Sequence, residues 1–269
     1  YVVKADGLAS GKGVVIAETL GEAEAAVDAM LGGLAGAAIV IEDFLTGEEA
    51  SFFVITDGTR ILPLIAAQDH KRAYDGDKGP MTGGMGAYAP APVFTETVRE
   101  QTMPVLAEMR RRGAPYRGVL FAGLMIGAEG PKLIEFNARF GDPECQTMMR
   151  LLKSDLLPVL HQAATGALGN SALEWSADTA AVVVMAAKGY PGAYQTGSRI
   201  GGVDAAAACD GVIVFHAGTA TQDGALTANG GRVLNITATG RTIRDAVDRA
   251  YRGVSSIEWP EGYCRGDIG

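Results

Sequence analysis

Two β-branched runs, Val2-Val3 and Val14-Val15-Ile16, bracket the loop Lys4-Ala-Asp-Gly-Leu-Ala-Ser-Gly-Lys-Gly13. A strand, not a helix, therefore comes after this glycine-rich loop, and that constrains the fold more than any other feature of the chain. A Walker-type phosphate loop has four residues between its glycines, Ser or Thr after its lysine, and a helix next. Here three residues separate Gly7 from Gly11, Gly13 follows Lys12, and a β-branched run comes next, so that reading fails. Two readings stay open for the loop alone. It is a phosphate cradle, with glycine N–H groups approaching phosphate oxygens and Lys4 and Lys12 neutralising their charge, or it is a surface hairpin.

Strands and helices continue to alternate along the chain. Thr19 with Glu22 three residues later forms a capping box, and Ala23, Ala26, Val27, Met30 and Leu31 then share one helical face. Ile39 to Leu45 reads as a strand. Ser51–Thr56 and Arg60–Ala67 read as a hairpin turning at Asp57-Gly58. A long glycine-rich loop is expected from Gln68 to Pro92, then a helix from Glu96 to Arg112 kinked at Pro104. Gly118–Gly127 and Lys132–Asn137 read as strands. A helix with Asp142 as cap and Pro143 in its first position comes next, and another begins at about Asp155. From Ser171 short β segments dominate (Ala180–Ala187, Val212–His216, Arg232–Thr239), closed by a helix from Thr242 to Arg252.

Three further stretches have the residue types for chemistry. In Ile134-Glu-Phe-Asn-Ala-Arg-Phe-Gly-Asp-Pro-Glu144, strand periodicity projects Glu135, Asn137 and Arg139 from one face, ~7 Å apart in succession. A carboxylate beside an amide oxygen suits Mg²⁺, which takes hard oxygen ligands. Arg139 adds a planar cation for phosphate or carboxylate, and Ile134 and Phe136 are expected to supply the buried face. Gln68-Asp-His-Lys-Arg72 precedes Gly79-Pro-Met-Thr-Gly-Gly-Met-Gly86, and two readings stay open there: an anion pocket with Lys71 and Arg72 beside a glycine-rich loop, or a simple mobile loop. Glu42-Asp-Phe-Leu45, with Glu49 beyond, is either a strand end whose acidic residues are simply solvated, the commoner case, or one offering backbone groups to an adenine edge and a carboxylate to ribose.

Composition narrows the setting. Hydrophobic residues are 48% and charged residues 20%, as in a folded chain, and the net charge of −8 disfavours non-specific nucleic-acid binding. Three scattered cysteines give neither a metal spacing nor a disulfide framework, pointing to a reducing, cytoplasmic compartment. No apolar run approaches the ~20 residues that span a membrane. The opening Tyr1-Val2-Val3 reads as the inside of a strand and the end, Cys264 to Gly269, has no helix, so a piece of a longer polypeptide is expected.

The strings KADGLASGKGV, IEDFLTGEEASF, QDHKR with GPMTGGMGAY, and IEFNARFGDPE, in this order, resemble the glycinamide ribonucleotide synthetases (phosphoribosylamine–glycine ligases) of the ATP-grasp superfamily. VVVMAAKGYPG, VFHAGT and NGGRVLNITA extend the likeness to the C-terminal part. The resemblance implies an α+β ATP-grasp fold, two α+β lobes around a nucleotide cleft, plus a small C-terminal α+β lobe. Residues 1–41 would form the lid subdomain, 42–170 the central subdomain with metal and substrate sites, and 171–269 the C-terminal lobe. It further implies that Lys4, Lys12, Glu42, Asp43, Phe44, Leu45, Glu49 and Arg72 bind the nucleotide, and that Glu135 and Asn137 hold Mg²⁺ or Mn²⁺. Asp69, Lys71, Arg139, Gly141, Asp142 and Pro143 would bind substrate, with Lys12, Arg139 and Asp142 catalytic. The implied substrates are ATP, glycine and 5-phosphoribosylamine, and the expected state is a cytoplasmic monomer without nucleic-acid or membrane partners. Met81 stands where the family carries Asn, and the family's N-terminal domain is absent from this sequence.

Overall fold

The computed structural model describes residues 1–6, 13–32, 38–102 and 104–269, so Lys12, Gly7 and Gly11 of the first loop lie outside the described residues. The chain divides into two compact units, Tyr1–Gly47 and Glu48–Gly269.

The first unit contains β1 (Val2–Ala5), β2 (Val14–Ile16), α1 (Leu20–Leu31) and β3 (Ile39–Glu42), with the strands antiparallel in the order β2-β1-β3. α1 starts as its sequence requires. The Thr19 hydroxyl accepts from the Glu22 N–H at 3.2 Å, and the Glu22 carboxylate accepts from the Glu18 N–H at 2.9 Å. Its small residues Ala23 and Ala26 bury against Val3 and Ala17. The strand expected through Leu45 stops at Glu42, and Phe44 beyond it is exposed.

The second unit opens with β4 (Glu48–Thr56) and β5 (Ile61–Pro63). It continues with four short strands, β6 (Gln68–Asp69), β7 (Arg72–Tyr74), β8 (Lys78–Met81) and β9 (Gly86–Ala89). Next come α2 (Glu96–Thr102), α3 (Val105–Arg111), β10 (Gly118–Gly127), β11 (Gly130–Asn137), α4 (Glu144–Leu151) and α5 (Leu156–Thr165). The remainder is β12 (Thr179–Ala187), α6 (Val203–Ala207), β13 (Val212–His216), β14 (Thr219–Gln222), β15 (Ala225–Ala228), β16 (Arg232–Gly240), α7 (Ile243–Ser255) and β17 (Gly262–Tyr263).

One antiparallel sheet runs β11-β10-β4-β5. Both faces of β4 and β10 are covered. Phe52, Val54, Leu120 and Ala122 form one core, while Phe53, Ile55 and Phe121 pack with Met148 of α4 and Val159 and Ala163 of α5 in another. That is why residues 50–55 read as an unbroken apolar run with a single serine. β11 lies at the edge, and a register shift between Gly123 and Leu124 interrupts its pairing. Phe136, expected inside, is consequently 40% exposed.

The larger sheet has the order β13-β16-β12-β9-β6, with β17 also on β12. Leu234, Ile236 and Ala238 of β16 meet Ala250 of α7 on one side, while Leu151 of α4 packs with Ala180 and Ala89 on the other. Val182, Val183 and Val184 are wholly buried, each side chain contributing about 1.5–3 kcal/mol. The stretch expected as one loop from Gln68 to Pro92 is thus four strands. β6 and β9 join the sheet, and β7 and β8 form a hairpin turned by Gly76 and Asp77, both with positive φ. The helix expected from Glu96 to Arg112 is two helices, with Pro104 capping the second because it cannot donate within a helix. Pro143 is likewise the cap of α4 rather than its first residue, and the Asp142 carboxylate bonds elsewhere. α5 begins where expected, with Asp155 as its cap accepting from the Leu157 N–H at 3.0 Å.

Candidate active site

In the second unit, the start of β4, the β6–β7 junction and the start of α4 converge on a charged cluster. Lys71 Nζ lies 2.8 Å from Glu49 Oε2 and 3.3 Å from Asp69 Oδ1. The Ser51 hydroxyl, next but one along β4 from Glu49, donates to Glu144 Oε1 at 2.9 Å. Burial pushes the Glu144 carboxyl up to about 7, and the nearby Asp69 charge adds to the effect. Burial likewise raises Asp69. Burial works against the charge on Lys71, but Asp69 and Glu49 outweigh it and hold its pKa above the usual lysine value. Three carboxylates facing one lysine carry an excess of negative charge, which retention of a proton by the buried acids relieves.

Beside this cluster sits the corner at Gly141-Asp142-Pro143. Asp142 Oδ1 accepts from Gln146 Nε2 at 3.0 Å, and Oδ2 accepts from Arg232 Nη2 at 3.1 Å. The loop Thr82-Gly83-Gly84 closes over it. Gly84 has φ +112°, and a Cβ there would lie 2.5 Å from Pro143 Cδ and 3.3 Å from Asp69 Oδ2, so only glycine fits. Thr82 donates through both its N–H and its hydroxyl to the Lys71 carbonyl, at 2.8 and 2.7 Å. The corner, the loop and the cluster therefore form one continuous surface.

On β11, Glu135 and Asn137 do share a face, paired across to Gly123 and Phe121, and Asn137 Nδ2 lies 3.0 Å from Glu135 Oε1. Glu135 is exposed and Asn137 half-buried. A carboxylate and an amide oxygen side by side with open surroundings fit a magnesium ion, which binds few protein oxygens and keeps water or phosphate for the rest. Arg139 lies past the end of this strand; it donates to the Phe140 carbonyl at 2.8 Å, and its guanidinium sits 6.0 Å over the Phe121 ring. Arg72 donates to the Gly79 carbonyl at 2.9 Å within the β7–β8 hairpin, and Met81 pairs with it there. In the first unit, Lys4 and Glu42 form an ion pair at 2.5 Å across β1 and β3, with Asp43 exposed and Leu45 half-buried just beyond.

Three residues of this region have no role that the sequence alone announces: Ser51, Glu144 and Arg232. Glu144 sits at the end of FGDPE and Arg232 inside NGGRVLNITA, but neither spacing nor periodicity reveals that the fold brings them to the same corner.

Comparison with known families matches residues 1–145 to the phosphoribosylglycinamide synthetase ATP-grasp (A) domain, and residues 180–269 to the C domain of the same synthetase. The chain belongs to the phosphoribosylglycinamide synthetase family. Its relatives in this family include a phosphoribosylamine–glycine ligase of Mesorhizobium japonicum, 57% identical over the whole of this chain and 65% of the relative. A chloroplastic ligase of Arabidopsis thaliana is 53% identical, with 53% of its length covered. The chain thus spans about two thirds of the length of the bacterial synthetases it matches. The crystal structure of the Thermotoga maritima phosphoribosylamine–glycine ligase superposes with a TM-score of 0.88 at 34% identity, covering 100% of this chain and 68% of that one. The biotin carboxylase domain of Hydrogenobacter thermophilus 2-oxoglutarate carboxylase shares the fold at 15% identity, with a TM-score of 0.70, covering 97% of this chain and 58% of that one. The matched A domain makes this an ATP-grasp chain, and among its described residues no helix is long and apolar enough to cross a membrane.

Proposed function

We propose that this chain carries the machinery for ATP-dependent ligation of glycine to 5-phosphoribosylamine, giving glycinamide ribonucleotide, ADP and phosphate. The observation that supports it best is the Glu49–Asp69–Lys71–Glu144 cluster adjoining the Gly141–Pro143 corner, with a two-oxygen metal site on β11 of the sheet that carries Glu49. In the first unit, Lys4 with Lys12 is assigned to phosphate, and Glu42 to Leu45 to the adenine. Glu49 and Arg72 are assigned to the nucleotide as well. Glu135 and Asn137 would hold Mg²⁺ or Mn²⁺, which supplies neutralising charge at the phosphate oxygens.

A carboxylate is a poor acyl donor until it is phosphorylated, and phosphoryl transfer is chiefly positioning and charge neutralisation. The glycine carboxylate attacks the γ-phosphorus, giving glycyl phosphate and ADP. The phosphoribosylamine nitrogen then attacks the acyl carbon, releasing phosphate and a proton. Arg139 screens the carboxylate as it approaches the phosphate, and Asp69 and Lys71 with Asp142 orient the amino acid. Residues 1–41, 42–170 and 171–269 are proposed as small subdomain, central subdomain and C-terminal lobe of a cytoplasmic monomer, with no nucleic-acid partner given the charge of −8.

ADP release measured with Mg·ATP, glycine and freshly generated phosphoribosylamine, omitting each in turn, tests the reading. ADP that requires both glycine and the amine is expected. ADP formed equally well with another amino acid, or without the amine, assigns the chain to a different ligase chemistry.

A further inference from the structure

We propose that Arg232, the first residue of β16, is a positioning residue for the amino-acid substrate, acting through the Asp142 corner and the Gly83–Gly84 loop. This rests on the ligase reading of the same site. Arg232 lies in the region matched to the C domain, and the groups it holds lie in the region matched to the A domain, so the two regions build the corner jointly.

One guanidinium meets four oxygens. Arg232 Nη1 donates to the carbonyls of Asp142 at 2.6 Å, Gly83 at 2.8 Å and Gly84 at 3.2 Å, while Nη2 reaches Asp142 Oδ2 at 3.1 Å. The side chain is 19% exposed. The sequence makes room for it: a Cβ at Gly83 would lie 2.9 Å from the guanidinium carbon, so glycine is required for the fork to lie against the backbone. The other face of the loop is held by the Tyr190 hydroxyl, which accepts from the Gly83 N–H at 3.1 Å.

The consequence lies in what these oxygens belong to. With Gln146 on Oδ1 and Arg232 on Oδ2, both oxygens of Asp142 have fixed donors, so the carboxylate has one orientation. Gly84 lies against both Pro143 and Asp69, so a shift of the loop changes the wall around Asp69. Without the guanidinium, three carbonyls and a carboxylate converge with no donor between them and repel one another. A lysine keeps the charge but loses the planar fork that serves four acceptors together. None of these atoms belongs to Glu49, Arg72, Glu135, Asn137 or the first unit, so the defect falls on amino-acid binding rather than on nucleotide binding.

The test compares the parent chain with Arg232→Ala and Arg232→Lys in steady-state ADP release, with and without methylguanidinium at about 20 mM. A loss of order tenfold corresponds to about 1.4 kcal/mol of misplaced contact. The expected result is a rise in KM for glycine of about tenfold or more in Arg232→Ala. KM for ATP should change less than about twofold, Arg232→Lys should fall between, and methylguanidinium should restore Arg232→Ala in part. An unchanged KM for glycine, a parallel rise in both KM values, or absence of rescue would overturn the proposal. Should Arg232→Ala not fold, Arg232→Lys carries the same KM comparison. A parent without glycine-dependent ADP release is a failure of the ligase reading instead. Amide hydrogen exchange at Gly83 and Gly84 then decides the clamp by itself: about tenfold faster exchange in Arg232→Ala or Arg232→Lys supports it, and unchanged exchange rejects it.

Discussion

Glu144 shows how one buried side chain makes a site sensitive to pH. Its carboxyl, ordinarily near 4.5, is raised to about 7 by burial and by Asp69, so the folded chain holds a proton that the unfolded chain releases. This stabilising contribution is complete below about pH 4.5 and is lost as pH rises through about 7. Melting temperatures of the parent and of Glu144→Gln across pH 5 to 8 measure it. The parent is expected to lose on the order of 2 kcal/mol relative to the variant over that range. A parallel pair of curves would show that the proton is not held there. Glu135 offers a second residue-level check. Glu135→Gln removes the anionic member of the two-oxygen site while keeping its shape, and is expected to weaken Mg²⁺-dependent ATP binding by about tenfold or more in a calorimetric titration, with the melting temperature little changed. Equal affinity in parent and variant would remove Glu135 from the metal site.

At the level of elements, close approach between α7 and β16 decides what a glycine is worth. Gly253 is buried on α7, and a Cβ there would lie 2.7 Å from Ile236 Cγ2 and 3.0 Å from a Val212 methyl. Alanine gains about 1 kcal/mol over glycine in an open helix position. Overpacking against two β-branched side chains costs about 1–3 kcal/mol. Gly253→Ala is therefore expected to destabilise by about 1 kcal/mol in denaturant unfolding, and a gain in stability would mean that the helix shifts at no cost. The same elements show what the sequence carries locally and what it does not. The Thr19 cap, the strands β4, β10, β12 and β16, and the shared face of Glu135 and Asn137 follow from local sequence, because a capping box, an apolar or β-branched run and a spacing of two are properties of neighbours. The strands β6 to β9 do not. Each has two to four residues, and β6 and β9 pair at a distance in the chain, so no local periodicity announces them. Phe136 fails for a related reason, since alternation gives the face but not whether anything covers an edge strand. The candidate metal donors Glu135 and Asn137, and the lysines Lys4 and Lys71, were nominated by residue type. Arg232 and Glu144 were not, because their roles come from which loops the fold sets beside them.

For the molecule as a whole, Arg265 is the residue on which distant parts of the second unit depend. Its side chain is 1% exposed, and it donates to both oxygens of Asp267, to Asp77 Oδ1 and to the Arg72 carbonyl. The Arg265 guanidinium holds the Asp267 carboxyl down to about 2. Breaking a fully buried ion pair costs about 3–5 kcal/mol, but Asp77 is 72% exposed and can be rehydrated. Arg265→Ala is therefore expected to cost about 2 kcal/mol, nearer the value for charged hydrogen bonds, by denaturant unfolding. Faster amide exchange in the β7–β8 hairpin should accompany it, and undiminished protection there would place the strap's importance elsewhere. Asp267 also accepts from the Gly76 N–H, and Asp75 from the Gly266 N–H, each across 191 positions of chain. On the ribosome, the hairpin beside Lys71 leaves the exit tunnel long before its fastenings have been translated. The segment that fastens the hairpin must wait for nearly two hundred codons to be read, so a truncated product has the side chains of the candidate site without the stitches that hold the adjoining hairpin in place.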